Sequence, residues 1–431
     1  MKKLFLCNLG CSKNFVDGDT IAGFLCKNGF EMTQNSTEAD AIIVNTCSFI
    51  EQATQEAINT ILEFAPHKSE ECKLIVSGCF SERYKEKVAK DFPEVDLWLS
   101  TKNWQKELNN FYNFQDNTAS FERILSEPKH TQYIKISDGC SHRCSFCVIP
   151  KIKGDFNSES PEKIIEEAIW LEKQGVKELI VVSQDTSFYG RDINTNLTKL
   201  LQKLLEKTNF RWIRTMYLYP SFVVDEFLDF VAKNPRIVPY FDIPLQHISD
   251  DILKSMGRKT KSTDLYKLVE KIRVKVPNAV IRTAFILGYP GEKNKDYKEL
   301  CEFVKWAKFD KMGVFPFSPE EGTKAAKLEN RPTNCTTQKR ITEIMEIQKE
   351  ISREKQEAKI GQKIEVIVDC VSDFEEYNFE CRSKGDAPEV DGRVFLLDGD
   401  ANIGDFLEVE IVDCDDYDLV AKYKGALRSP L

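Results

Sequence analysis

"DGCSHRCSFCVIP", residues 138–150, places three cysteines, Cys140, Cys144 and Cys147, within eight positions. A closed tetrahedral metal site takes four ligands, yet the next cysteine in the chain is Cys301. Either another part of the chain completes the site, or one coordination position stays open. His142 offers a closed zinc site of the Cys₃His kind, but with one residue between it and Cys140 it is poorly placed to share a tetrahedron with that cysteine. In a four-iron cluster, three cysteines leave one iron without a protein ligand, and an exogenous molecule can bind there.

Around this loop, from about residue 130 to 330, apolar runs alternate with helical patterns. Candidate strands are 133–137, 178–183, 211–218, 239–243, 279–287 and 312–316. Between them lie helices such as "SPEKIIEEAIWLEKQG", with Ser160 as N-cap, Pro161 in the first turn and Gly175 as the stop. Six strand–helix units suit a full or partial parallel barrel with its active site at the carboxyl ends of the strands. The Cys140 loop follows the first strand, and "SQDTSFYG" (183–190), "LYP" (218–220), "PLQH" (244–247) and "LGYPGE" (287–292) follow later ones.

Upstream, residues 1–115 show the same alternation. "KLFLCNLG", "DAIIVNTC" and "CKLIVSGC" read as strands, and "VDGDTIAGFLCKNG", "EQATQEAINTILEFA" and "ERYKEKVAKDF" as helices, which argues for an open parallel sheet wrapped by helices. Cys11, Cys47 and Cys79 each lie just beyond the carboxyl end of one strand, where open parallel sheets bind ligands, so they are expected to converge. The bland alternative is that they are small buried residues, as Cys7, Cys26 and Cys72 are expected to be. A polar stretch, "NFQDNTASFERILSEPKH", reads as the linker to the central segment, 130–357. A charged helix at about 335–358 then leads into a tail, 358–431, whose short alternating strands and glycine turns read as a small antiparallel barrel. Cys370, Cys381 and Cys414 lie on these strands without ligand-like spacing.

The 431 residues are 42% hydrophobic and 30% charged, an ordinary globular composition. The opening "MKKLFLCNLGCSKN" turns polar too early for a signal peptide, and no apolar run approaches a membrane span. A cytoplasmic location follows, in which 14 cysteines imply metal or catalytic chemistry rather than disulfides. Only 4 histidines are present, which disfavours a histidine-rich metal site.

The spacing C-x₃-C-x-aromatic-C, with Phe146 as the aromatic, is similar to the signature of radical S-adenosylmethionine (SAM) enzymes. Taken with the three upstream cysteines and the β-rich tail, nearly the whole chain resembles the methylthiotransferase family. "LGCSKNFVDGD", "SDGCSHRCSFCVIPKIKG", "SQDTSFYG", "YFDIPLQHISDDILKSMGRK" and "RTAFILGYPGE" are most similar to the branch that methylthiolates an aspartate of ribosomal protein S12. The resemblance implies that Cys140, Cys144 and Cys147 hold a four-iron cluster whose open iron binds SAM and releases a 5′-deoxyadenosyl radical. It implies equally that Cys11, Cys47 and Cys79 hold an auxiliary four-iron cluster, that a second SAM supplies the methyl group, and that the tail is a TRAM domain. An electron donor such as a flavodoxin or ferredoxin is then needed. Phe146 in the Cys140 loop, and Gln184, Asp185, Gln246, His247 and Arg282 on or after barrel strands, are candidate SAM contacts. The chain departs from the family pattern at Ser12, usually proline, at Gly18-Asp19, usually Ser-Glu, and at Lys153, usually arginine, which lacks arginine's fork for an anionic partner.

Charge bears on the substrate. From residue 358 onward there are 18 acidic and 8 basic residues, net −10, whereas the remainder has 51 and 52, net +1. An RNA-binding appendage is expected to be basic; an acidic tail favours a basic protein such as S12 over tRNA. The competing readings are a tRNA adenosine methylthiotransferase of the same fold and, in a different class, a two-cluster electron carrier without catalysis. The barrel's polar strand-end loops argue against the carrier.

Overall fold

The computed structural model describes residues 1–68, 71–114 and 123–426. The middle of the expected linker lies outside the described residues. By its internal contacts the chain divides into two compact units, residues 1–167 with 182–184 and 318–326, and residues 168–181 with 185–317 and 327–431. These units cut across the segments read from the sequence, because the cysteine-rich loop at 140–147 belongs with the N-terminal sheet.

The first unit begins with β1 (Lys2–Asn8), α1 (Ser12–Lys27), β2 (Phe30–Met32), β3 (Ala41–Thr46), α2 (Glu51–Phe64), β4 (Lys73–Ser77), α3 (Gly78–Val88), β5 (Leu97–Trp98) and α4 (Trp104–Tyr112). All five strands run parallel in the order β2-β1-β3-β4-β5. β3, "AIIVNT", is buried at every position, as a central parallel strand covered on both faces must be. Leu4, Ile43 and Ile75 pack with Ile21 and Leu25 on one face; Ile42, Val44 and Val76 pack with Ile61 and Phe80 on the other. Helix α1 starts earlier than the apolar periodicity implies, because the Cys11 carbonyl already accepts from the Asn14 and Phe15 amides.

The central part continues with β6 (Thr131–Lys135), β7 (Ser137–Asp138), α5 (Ile149–Ile152), β8 (Asn157–Ser158) and α6 (Pro161–Lys173), which Ser160 caps through the Lys163 amide. Next come β9 (Glu178–Val182), α7 (Leu197–Lys207), β10 (Trp212–Thr215), α8 (Asp225–Lys233), β11 (Tyr240–Asp242), α9 (Asp250–Ser255) and α10 (Ser262–Lys275). β12 (Val280–Leu287), α11 (Asn294–Ala307), β13 (Lys311–Pro316) and α12 (Asn334–Glu357) complete it. β9 pairs with β10, and β12 with both β11 and β13, always in parallel; Ile213 and Ile237 form a parallel bridge between the two groups. Strands that succeed one another in sequence order build a barrel wall rather than a doubly wound sheet.

The tail comprises β14 (Lys363–Val371), β15 (Phe379–Ser383), β16 (Val394–Leu396), β17 (Phe406–Cys414) and β18 (Leu419–Ala426), closed in the order β14-β15-β16-β18-β17. The pairings are antiparallel except β16–β18, which is parallel. Val366, Val368, Cys381, Leu396, Val409 and Ile411 are among its core residues, and closure removes the free edges. Cys381 is thus packing, as expected, while Cys370 lies exposed on β14. Among the described residues no helix is long and apolar enough to cross a membrane.

Candidate active site

The N-terminal cysteines leave the sheet through two sharp turns. Gly10 and Gly78, each immediately before a cysteine, adopt φ of +90° and +87°. A Cβ on Gly10 would lie 2.5 Å from the Cys47 Cβ, and one on Gly78 would lie 2.3 Å from the Thr46 carbonyl oxygen. Only glycine permits that backbone and that approach. The result is convergence: Cys79 lies within electrostatic reach of both Cys47 and Cys11, and Cys47 within reach of Cys11.

Buried polar side chains hold these strand ends. Asn14 Nδ2 donates to the Leu9 carbonyl at 2.6 Å, and Asn45 Nδ2 to the Asn14 carbonyl at 2.6 Å and to Asn8 Oδ1 at 2.9 Å. Thr46 donates to the Ser77 carbonyl, joining the ends of β3 and β4. Gly18 leaves the room that Asn8 fills, since a Cβ there would sit 1.9 Å from Asn8 Oδ1. Ser12 occupies the first helical position, which also accepts proline.

Cys11 is the N-cap of α1 and Cys79 sits in the first turn of α3, where helix amino ends carry partial positive charge. Burial nevertheless pushes the Cys79 thiol up to about 12, with the Lys153 ammonium opposing the rise. Burial also raises Cys47. Such a thiol gives up its proton when it ligates a cation.

The second triad lies on the loop between β7 and α5. The Cys140 amide donates to the Gly154 carbonyl at 3.1 Å, the Cys147 amide to the Cys144 carbonyl at 3.2 Å, and Arg143 takes φ of +57°. All three cysteines and Phe146 are half-buried, so they remain reachable from solvent. Val148 and Ile152, just after this triad, pack directly against Cys79 of the first. Both triads therefore share one compact unit and one apolar contact. Among the described residues no three His, Cys, Asp or Glu side chains gather at the spacing of a single metal ion. A four-iron cluster spreads its thiolates over several metals and spans further, and two sets of three cysteines are a donor set it takes.

A strap, residues 318–326, crosses this unit. Its Glu320 accepts from Arg83 Nη1 at 3.0 Å and from the Glu51 amide at 3.1 Å, and its Ala325 amide donates to the Ser145 carbonyl inside the second triad at 2.8 Å. Arg83, Glu320, Asn14, Asn45, Asp17 and Lys135 were not foreseen from the sequence. The available signal was polar residues ending an otherwise apolar buried strand, as Asn45 and Thr46 do in "DAIIVNTC".

The remaining candidates divide. Gln184, in the first unit, donates from Nε2 to Asp138 Oδ1 at 3.2 Å, while its buried Oε1 has no partner among the described residues. It thus reaches the residue that enters the Cys140 loop with an acceptor to spare. In the second unit, Asp185 caps a short turn, accepting from Ser187 Oγ at 2.6 Å and from the Phe188 amide at 3.1 Å. Gln246 is half-buried with φ of +73°, its backbone bonded to Ala284 and Ile286. His247 is fully buried. Arg282 donates to Asp242 Oδ1 at 3.0 Å and lies 3.5 Å from Asp391 Oδ1, so two carboxylates engage its guanidinium. Lys153, the departure from arginine, meets Asp17 at 2.8 Å.

Residues 3–100 match a family described as uncharacterized protein family UPF0004, residues 134–304 the radical SAM superfamily, and residues 360–423 the TRAM domain. The chain is 44% identical over 430 residues to the ribosomal protein uS12 methylthiotransferase RimO of Aquifex aeolicus, covering 99% of this chain and 98% of that one. It is 43% identical to the protein of the same name from Caldicellulosiruptor saccharolyticus, covering 98% and 100%. Among solved structures it resembles the radical SAM methyltransferase TsrM of Kitasatospora setae, with a TM-score of 0.54 at 14% identity over 73% of each chain. The cobalamin-dependent SAM radical enzyme OxsB gives 0.51 at 13% identity over 81% of this chain and 56% of that one. At those identities the structural likeness concerns the fold.

Proposed function

Because the chain belongs to the RimO family of radical SAM methylthiotransferases, we propose that it replaces a β-carbon hydrogen of an aspartate in ribosomal protein S12 by a methylthio group. The observation that carries this reading is the pair of cysteine triads brought together in one unit and touching through Cys79, Val148 and Ile152.

In this reading Cys140, Cys144 and Cys147 ligate one four-iron cluster and leave it an open position, and Cys11, Cys47 and Cys79 ligate a second. Bound there with SAM, these groups supply a 5′-deoxyadenosyl radical and a place to hold sulfur. An aspartate β-carbon has a weakly acidic C–H and no leaving group, so proton-transfer chemistry has little purchase and radical chemistry is required. The chain's own residues arrange the partners. Val148 and Ile152 exclude water from the Cys79 side. The Lys153 ammonium offsets negative charge at Cys79. Gln184 offers a free carbonyl beside the radical triad. The chain divides functionally into 1–115 for the auxiliary site, 130–357 for the radical site and 358–431 for substrate recognition. A second SAM supplies the methyl group, and a flavodoxin- or ferredoxin-type protein the electrons.

The test uses anaerobically reconstituted full-length protein with SAM, sulfide and reductant, offered an S12-derived peptide and unmodified tRNA in parallel and read by mass spectrometry. A methylthio gain on the peptide's aspartate is expected; a gain on tRNA alone would overturn the substrate assignment. Cys144→Ala should abolish 5′-deoxyadenosine formation. Cys11→Ala should retain it and lose the methylthio product. Loss of 5′-deoxyadenosine in both variants would contradict the division of labour.

A further inference from the structure

Between the two triads lies a set of charges, one buried and three half-buried, that cysteine chemistry does not account for. Asp17 stands on α1, the helix that starts at Cys11. One of its carboxylate oxygens, Oδ1, accepts from Lys135 Nζ, and the other, Oδ2, from Lys153 Nζ at 2.8 Å. Lys135 ends β6, the strand that leads to the Cys140 loop, and its ammonium also lies 3.3 Å from Asp138 Oδ2. Lys153 caps α5, the helix that leaves Cys147, and is only 7% exposed. Asp138 in turn accepts from Gln184 Nε2 at 3.2 Å and from the Gly139 amide at 3.1 Å.

We propose that Asp17 is a positioning residue: its two carboxylate oxygens tie the helix of the first cysteine triad to both the entry and the exit of the second, and so set the two triads' relative placement. This rests on the reading of the triads as two cluster sites. Aspartate suits the task because each oxygen takes one ammonium. Asparagine keeps the shape but has one acceptor, and its NH₂ faces a cation, so one lysine loses its bond to residue 17. Burial by itself would raise the Asp17 carboxyl, yet the two ammonium groups hold it down at about 2. Transfer between two bound reactants falls steeply with small misplacement, so weakening this tie should uncouple radical formation from product formation before it unfolds the chain.

The experiment compares full-length wild type, Asp17→Asn and Lys153→Arg, each loaded with both clusters. Three quantities are read: iron per chain, the magnetic interaction between the two reduced clusters in electron paramagnetic resonance, and the ratio of 5′-deoxyadenosine to methylthiolated peptide. Asp17→Asn is expected to keep its iron and to form 5′-deoxyadenosine within about twofold of wild type, while the ratio rises about tenfold and the magnetic interaction changes. Lys153→Arg retains the charge and should stay near wild type in both. An iron-loaded Asp17→Asn protein with unchanged ratio and unchanged magnetic interaction would overturn the proposal. If Asp17→Asn does not fold, the paired variant Asp17→Asn/Lys153→Gln, which removes charge on both sides, takes its place. Failure of both variants to hold iron would show that the network serves folding alone, and would also overturn it. A wild type that makes no methylthio product would sink the functional reading instead, and the magnetic comparison would still decide the role of Asp17.

Discussion

His247 carries a clear pH signature. Its Nδ1 accepts the Ser249 amide at 3.0 Å, so the neutral ring bears its proton on Nε2, which lies 3.9 Å from Glu292 Oε2, beyond hydrogen-bond reach. Burial lowers its pKa to about 4, with Asp296 opposing and Arg340 adding to the shift. The unfolded chain takes up a proton below about 6.5 while the folded one does not. The folded state is therefore unpenalised above that value and loses stability as pH falls from about 6.5 towards 4, by a total of about 3 kcal/mol. Urea unfolding across this range should show the loss, and His247→Gln should flatten it; an unchanged slope in the variant would refute the assignment. Asp17 acts in a lower window. With its pKa held at about 2, its contribution is complete above about 4 and disappears as pH falls through 2.

At the scale of elements, β9 illustrates how one polar residue in an apolar strand becomes a joint. Glu178 is fully buried at the start of "ELIVV". Its Oε1 accepts from Arg214 Nε at 2.8 Å on β10, and its Oε2 from Arg382 Nη1 at 2.7 Å on β15. Arg382 is held further by Asp369 at 2.6 and 3.0 Å. This joins the parallel strands to the closed barrel within the second unit, as do Lys311–Asp386 at 2.8 Å and the hydroxyl of Tyr240 on Asp391 at 2.5 Å. Glu178→Ala leaves the fully buried Arg214 guanidinium without an anion and Arg382 with Asp369 alone, and a cost of about 3–5 kcal/mol is expected. The midpoint of denaturant unfolding checks it. A loss below about 1 kcal/mol would mean that water reaches the joint.

For the whole molecule, the acidic tail is less free than its composition implies. Of its 18 acidic residues, Glu365, Asp369, Glu380, Asp386, Asp391, Asp405, Glu408 and Asp416 are engaged by arginine or lysine side chains. Asp373, Glu375 and Glu376 remain exposed in the turn between β14 and β15, beside Phe374, which is 56% exposed. If the tail recruits a basic protein, reversing these three to lysine should raise KM for the S12-derived peptide and weaken its dependence on salt, with 5′-deoxyadenosine formation unchanged. Steady-state kinetics at two ionic strengths checks this; an unaltered KM would place recognition elsewhere. The sequence by itself determined the layered α/β plan, the barrel order and the two cysteine triads. Those depend on local periodicity, on turn chemistry, on a thiol spacing that one loop carries and on cysteines that recur at strand ends. Only the tertiary structure decided which acids are free, that Asp17 meets lysines 118 and 136 residues away, and that the strap carrying Glu320 reaches Arg83. A charged side chain in a sequence reads the same whether water or a distant ion solvates it. Which of the two it meets depends on contacts between residues far apart in the chain, and those exist only once the chain has packed.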